Sequence, residues 1–230
     1  MTKKELELEL QNLKVRDKID SLESLLKHTL SVNEKFNLTA IKDEKKFREL
    51  MILDSLLPLN LINFNDKKVI DIGTGAGYPG LPLAITTHGE FTLLDSTSKK
   101  INQINEFVSN LKLDNVKTVS ARAEEYASAH REEFDVGIAR AVSSLNILLE
   151  IGLPLIKEGG YFIAMKGPRG KEEIEEASNA LKELGGEVVE INEVTLPESN
   201  EVRVNILIKK IKKTPKKYPR QYKDISNKPL

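Results

Sequence analysis

The residues most capable of chemistry lie in one stretch, Val69-Ile70-Asp71-Ile72-Gly73-Thr74-Gly75-Ala76-Gly77-Tyr78-Pro79-Gly80. A short apolar run enters glycines at 73, 75 and 77, and Pro79 suits the first turn of a following helix. Glycines let a backbone turn sharply and approach a ligand without Cβ clashes. Asp95 closes a second apolar run, FTLLD, 18 residues after Gly77. A carboxylate at the end of a second strand can accept both hydrogen bonds of a ribose 2′,3′-diol. With Ser96, Thr97 and Ser98 behind it, Asp95 equally suits a helix N-cap or turn. A strand, a glycine loop, a helix and an acid at the next strand end together point to nucleoside binding.

Residues 75–80 fit G-x-G-x-x-G, so a nicotinamide dinucleotide competes with S-adenosylmethionine (SAM) for this loop. A helix N-terminus would favour a pyrophosphate, which SAM lacks, and Gly80 is compatible with either ligand. Asp71 favours SAM. It lies two residues before Gly73, where dinucleotide folds usually keep an apolar side chain, and it could receive an amino-acid ammonium directly or through water. Asp71 and Asp95 are both expected on the pocket rim.

Composition removes other chemistries. The 230 residues include no cysteine, which excludes disulfides, thiolate zinc sites and cysteine nucleophiles. Three scattered histidines, His28, His88 and His130, argue against a metal centre or a catalytic triad. No metal site is expected. No run approaches the ~18 apolar residues of a membrane span. The acidic start MTKKELELEL lacks the apolar segment of a secretion signal. The expectation is a cytoplasmic monomer without membrane association.

The elements that must hold the loop follow from periodicity. Leucines at 6, 10, 13, 22, 25, 26 and 30 recur at three- and four-residue spacings, and a similar face runs from about Asp43 to Leu57. Beyond Pro58, the runs KKVIDIG, FTLLD, VKTVS, FDVGIA and GGYFIAMKG alternate with helix-like stretches. Such alternation implies an α/β, Rossmann-like fold with a mostly parallel, doubly wound sheet. GEVVEINEVTL and EVRVNILIKKI, separated by PESN, predict an antiparallel hairpin at the sheet edge. The expected organisation is a helical extension over 1–62, a ligand-binding domain over 63–211 and a basic tail over 212–230.

The zero net charge conceals an uneven distribution. Residues 71–208 carry 13 basic and 22 acidic side chains, whereas residues 209–230 carry 9 basic ones and only Asp224 as an acid. This cationic arm, with two interleaved tyrosines, suits phosphate contacts and base stacking, or is simply a solvated terminus.

A family resemblance adds to these readings. The loop at 71–80 joins Leu93-Leu94-Asp95-Ser96, Ala121-Arg122-Ala123-Glu124-Glu125, Ala139-Arg140-Ala141-Val142-Ser143-Ser144-Leu145-Asn146 and Ala164-Met165-Lys166-Gly167. Asn37-Leu38-Thr39-Ala40-Ile41, Leu53-Asp54-Ser55-Leu56 and Tyr218-Pro219-Arg220 extend the set. In this order they closely resemble the RsmG (GidB) family of bacterial 16S rRNA methyltransferases.

The resemblance implies a class I SAM-dependent methyltransferase fold and transfer of a methyl group to N7 of one guanine in the 530 loop of 16S rRNA. S-adenosylhomocysteine (SAH) would be the second product, and the partner 16S rRNA, the small subunit or an assembly intermediate. It implies cofactor contacts from Gly73, Tyr78, Ala123, Glu124 and Arg140, alongside Asp71, Gly75, Gly77, Asp95, Ser96 and Thr97. Substrate contacts are expected from Asn37, Arg140, Lys166, Lys217 and Arg220. Read alone, Glu124 is an exposed helix start, Arg140 a surface ion pair and Lys166 an exposed strand-end charge. The chain departs from the family pattern at Met51, where a histidine is common, and again after Arg220.

The absences are consistent with N7 chemistry. Guanine N7 carries a lone pair and no proton, so its methylation requires positioning rather than a general base. Methylation at pyrimidine C5 normally uses a cysteine, which is missing. Exocyclic amine methylation typically uses a D/N-P-P-Y/F segment where Ala139-Arg140-Ala141-Val142 stands. No catalytic acid or base is therefore expected. A nicotinamide-dependent oxidoreductase and a non-catalytic RNA-binding assembly factor remain as competing readings.

Overall fold

The computed structural model describes residues 1–230. Seven strands form one sheet in the order β3-β2-β1-β4-β5-β7-β6. The strands are β1 (Lys68–Ile72), β2 (Glu90–Asp95), β3 (Val116–Ser120), β4 (Phe134–Arg140), β5 (Ile156–Lys166), β6 (Gly186–Thr195) and β7 (Val202–Lys210). The first five pair in parallel, while β7 runs antiparallel to both β5 and β6. The sheet is therefore doubly wound with an antiparallel hairpin at its edge, as the sequence pattern predicts.

Ten of the eleven α-helical segments precede the last strands: α1 (Lys3–Asn12), α2 (Ile19–Phe36), α3 (Glu44–Phe47), α4 (Asp54–Leu56), α5 (Gly80–Thr86), α6 (Ser98–Asn110), α7 (Ala123–Ala129), α8 (Leu145–Gly152), α9 (Gly170–Glu176) and α10 (Ser178–Leu184). The eleventh, α11 (Tyr222–Asn227), follows β7. A π-helical stretch, Arg48–Leu53, joins α3 to α4. No helix is long and apolar enough to cross a membrane.

Side-chain alternation along the strands sorts the core into two layers. Val69, Phe91, Leu93, Val136 and Ile138 face one side, where Leu6, Leu10, Leu22, Leu25 and Phe47 of the N-terminal helices cover them together with α5 and α6. Ile70, Ile72, Leu94, Ala139 and Phe162 face the other, against α7, α8 and α10. The N-terminal helices thus share one continuous core with the sheet.

The C-terminal residues differ from the expected cationic arm. Tyr218 and Ile225 are buried in the second layer. Arg131 donates from Nη2 to Thr214 O at 2.7 Å and from Nη1 to Tyr218 O. The lysine spacing concealed this because the apolar anchors are few and Arg131 lies more than 80 residues from the backbone oxygens it holds.

Candidate cofactor and acceptor site

The glycine loop leaves β1 and is fixed from both sides. Gly73 N and Thr74 N donate to Leu94 O of β2 at 2.8 and 3.0 Å. Asp71 Oδ2 accepts from Thr74 Oγ1 at 2.6 Å and from Gly80 N at 2.9 Å, bridging the two ends of the loop. Gly73 has φ +70°, and a Cβ there would lie 2.7 Å from Val142 Cγ2. At Gly80 a Cβ would lie 2.2 Å from Leu93 Cδ2, so that glycine allows α5 to pack against β2.

Asp71 is not on the rim: it is fully buried. Its side chain points from a central strand toward α5, whose first residue, Gly80, closes on Oδ2. Burial pushes its carboxyl up to about 6, opposed by the Thr74 and Gly80 hydrogen bonds and by the Arg140 charge, while Asp95 pushes it further up. Its Oδ1 is buried without a hydrogen-bond partner.

Asp95 is also largely buried rather than a rim group. Its Oδ2 accepts from Gly75 N at 3.0 Å and its Oδ1 from Thr97 N at 2.8 Å. The turn role weighed for this residue is therefore present, with Thr97 as the N-cap of α6. A carboxylate has about four acceptor positions, so these two bonds leave capacity for a diol.

Gly73, Asp95, Ser96, Ala123 and Glu124 line one pocket of about 150 Å³ at the carboxyl ends of β1 to β3. This brings together five of the residues expected at a cofactor from three separate loops. Gly75 adjoins them through its bond to Asp95, and Gly77 continues the loop through Gly77 N to Thr74 O at 2.9 Å. The Tyr78 side chain is buried, its hydroxyl lies 2.8 Å from Thr29 Oγ1, and its ring meets Phe47 edge-on at 5.6 Å. The ring fastens the loop to the N-terminal helices, and burial raises its hydroxyl pKa strongly.

A second cavity, about 580 Å³, opens at the carboxyl ends of β4 and β5. Val142 lines the smaller pocket, whereas its neighbours Ala141 and Ser143 line the larger one, so this loop borders both. Arg140 Nη1 donates to Asp54 Oδ2 and to Leu50 O, each at 3.2 Å, and Nη2 lies 3.6 Å from Met51 Sδ. The π-helical register aids this contact, because Asp54 N donates to Glu49 O rather than to Leu50 O. Arg203 Nε also donates to Asp54 Oδ2, at 3.0 Å. The Met51 departure thus places a thioether against Arg140.

Lys166 lines the same cavity, but it is buried rather than an exposed strand-end charge. It lies 2.8 Å from Glu173 Oε2 and donates to Ser143 O. The remaining expected substrate residues lie elsewhere. Asn37 is the exposed, left-handed C-cap of α2, although Ile41 of the same segment reaches the cavity. Lys217 is exposed beside Glu183 at 3.6 Å. Arg220 is committed to the buried Glu150, with Nε–Oε1 at 2.8 Å and Nη2–Oε2 at 2.6 Å. Its Nε and Nη2 are taken up by this pair, so the residue anchors the C-terminal segment.

Sequence reasoning missed Val142, Asp54, Arg203 and Tyr222 at these cavities. Asp54 stood within a family motif and could have been singled out. Arg203 carried no distinguishing signal, and Tyr222 was legible only as one of the two tyrosines of the basic tail suited to base stacking. Larger space exists elsewhere, notably a 740 Å³ cavity beside Lys67, Asp135 and Gly160. It adjoins the amino ends of β1 and β4, whereas ligands of open α/β sheets bind at the carboxyl ends.

A doubly wound sheet ending in an antiparallel hairpin, with a carboxylate-braced glycine loop at its carboxyl edge, defines the fold of the class I methyltransferases. A solved structure, M. jannaschii TYW2 in complex with AdoMet, matches with a TM-score of 0.54 at 18% identity, over 65% of this chain and 71% of that one. The family model described as GidB, rRNA small subunit methyltransferase G, matches residues 18–202, and the chain belongs to that family. It is 46% identical over 205 residues to ribosomal RNA small subunit methyltransferase G of Alkaliphilus metalliredigens, covering 87% of this chain and 86% of the relative. The protein of the same name from Lactobacillus acidophilus is 41% identical over 232 residues, covering 98% and 97%.

The enzyme is SAM-dependent, and the residues present fit that cofactor. A partnerless buried acceptor on Asp71, a loop with no room for a Cβ at Gly73, and a carboxylate lining an adjoining pocket suit an aminoacyl–ribose–purine ligand.

Proposed function

We propose that this enzyme methylates N7 of one guanine in the 530 loop of small-subunit 16S rRNA, with the rRNA, the subunit or an assembly intermediate as its partner. The observation that carries the reading is the state of the larger cavity. Its ionisable side chains are all paired: Asp54 with Arg140 and Arg203, Lys166 with Glu173, and Arg203 with Glu201. N7 carries no proton and requires no base, so a cavity whose charges are tied to one another suits an acceptor that needs only to be positioned.

When bound, SAM supplies an electrophilic sulfonium methyl. N7 would take the methyl carbon while the C–S pair stays with sulfur, the products being SAH and a cationic 7-methylguanine. The chain's contribution is placement. Gly73 and Gly75 offer backbone close to the ligand, Asp95 takes the ribose hydroxyls, and Ala123 with Glu124 borders the adenine edge. Asp71 holds the loop and keeps one carboxylate oxygen for the ammonium. Arg140 and Lys166 present positive charge at the acceptor side, moderated by Asp54 and Glu173.

A-form RNA hides N7 in a deep groove, so the acceptor must come from an exposed loop. Lys212, Lys213, Lys216, Lys217 and Lys223 are exposed on the docked C-terminal segment and suit its phosphates. The enzyme acts as a monomer in the cytoplasm under this reading.

Radiolabelled methyl transfer from SAM to under-modified small subunits tests the proposal. Borohydride reduction and aniline cleavage then locate the base. One modified guanine in the 530 loop is expected. Methyl incorporation at another site, or none, would overturn the assignment.

A further inference from the structure

Tyr222 is an aromatic ring held in place by a docked segment yet left out of the core. On one side of it, Arg220 is clamped to the buried Glu150, and its own backbone N–H adds a third bond to Oε1 at 3.0 Å. On the other side, Ile225 is fully buried. Between these anchors the Tyr222 side chain remains 40% exposed, with the Arg122 guanidinium 5.9 Å from its ring centroid.

Its surroundings explain the exposure. Tyr222 lines the 150 Å³ pocket together with Leu94, Asp95, Ala123 and Val142. Val142 is itself 36% exposed, so two of the molecule's exposed large hydrophobic side chains share this one small pocket. An apolar-walled space of this size, with a carboxylate at its edge, suits a purine ring whose ribose extends past that edge rather than a whole cofactor. Aromatic side chains bind purines through their π faces, tolerating any base while excluding water.

We propose that Tyr222 is part of the cofactor site, covering the adenine ring of SAM from the C-terminal segment. The inference rests on the cofactor reading of the glycine loop and adds a wall to it from a distant part of the chain. Docking of the C-terminal segment thereby becomes a condition for tight cofactor binding, and the positive charge of Arg122 beside the ring strengthens the platform.

Calorimetric titration of the full chain with SAH and with adenosine tests the proposal, alongside thermal melting without ligand. Tyr222→Ala should weaken both ligands about tenfold, within the range for losing one base–aromatic stack. Tyr222→Phe should bind within about twofold of wild type, since the ring and not the hydroxyl is used. The chain has no tryptophan. Tyr222→Trp therefore introduces a single reporter whose emission should change as SAH is added. A purely structural tyrosine would lower the melting temperature of Tyr222→Ala and leave the affinities unchanged. That result, or an unresponsive tryptophan in a variant that binds SAH normally, would overturn the proposal. Wild-type protein that fails to bind SAH would instead remove the cofactor reading itself.

Discussion

Asp71 Oδ2 and the Gly80 amide meet at 2.9 Å across the ends of the glycine loop. One carboxylate oxygen thereby sets the curvature of the glycine loop. The same oxygen accepts Thr74 Oγ1, while Oδ1 has no partner within the protein. One oxygen of the side chain is committed to the loop and the other is left free of protein partners.

Asp71→Asn and Asp71→Ala should consequently separate these roles. Asparagine keeps one acceptor for Thr74 and Gly80 but loses the charge, so the fold is retained while SAH affinity falls at least about tenfold. Alanine strands two buried donors and costs stability as well, about 1–3 kcal/mol for each unsatisfied group. Urea denaturation and SAH titration of both variants check this.

The raised pKa of Asp71 gives stability a pH dependence. The folded state holds this proton up to about pH 6, whereas the unfolded carboxyl releases it near 3.8. Between those values the folded state binds more protons, so stability falls as pH rises and then levels off above about 6. A shift of this size corresponds to about 3 kcal/mol as an upper figure. Wild-type stability measured against that of Asp71→Asn from pH 4 to 7 should decline across this window, and parallel curves would contradict the assignment.

Arg220 and Glu150 form the main polar bolt of the C-terminal segment. Removing the arginine leaves a wholly buried carboxylate without its partner. Arg220→Ala should cost about 3 kcal/mol, the lower end for such pairs because Arg220 is itself partly exposed. Adding Glu150→Gln should restore part of that loss, which equilibrium unfolding of the single and double variants will measure.

The exposed lysines are a better test of RNA contact than truncation, which would uncover Tyr218 and Ile225. Replacing Lys212, Lys213, Lys216 and Lys217 with glutamine should weaken RNA binding most at low salt. The slope of log affinity against log salt should drop by up to about 3, near 0.7 per lost single-strand contact. SAH affinity should hold, and an unchanged slope would show that these lysines do not meet phosphate.

Much of the scaffold was legible because its signals are local. The period-two alternation of Val69 to Ile72 and Phe91 to Leu94 sorts side chains onto two faces, and Gly73 occupies a turn that other residues fit poorly. The fates of the charges were less legible. Arg220 finds Glu150 at a separation of 70 residues, and Arg140 finds Asp54 at 86. Nothing in a sequence window distinguishes such a side chain from one left free for RNA. A rim position for Asp71 has no local signal against it in the sequence. Here α5 closes over it through Gly80. Tyr222 reaches its pocket only because Tyr218, Arg220 and Ile225 dock, and that docking is a tertiary property.

A crystal structure of the enzyme with SAH tests the central claim most directly. The expected result places the ribose hydroxyls on Asp95, the adenine beside Ala123 and Glu124, and the sulfur turned toward the cavity bounded by Arg140 and Lys166. SAH bound anywhere other than along residues 71–80 would contradict it.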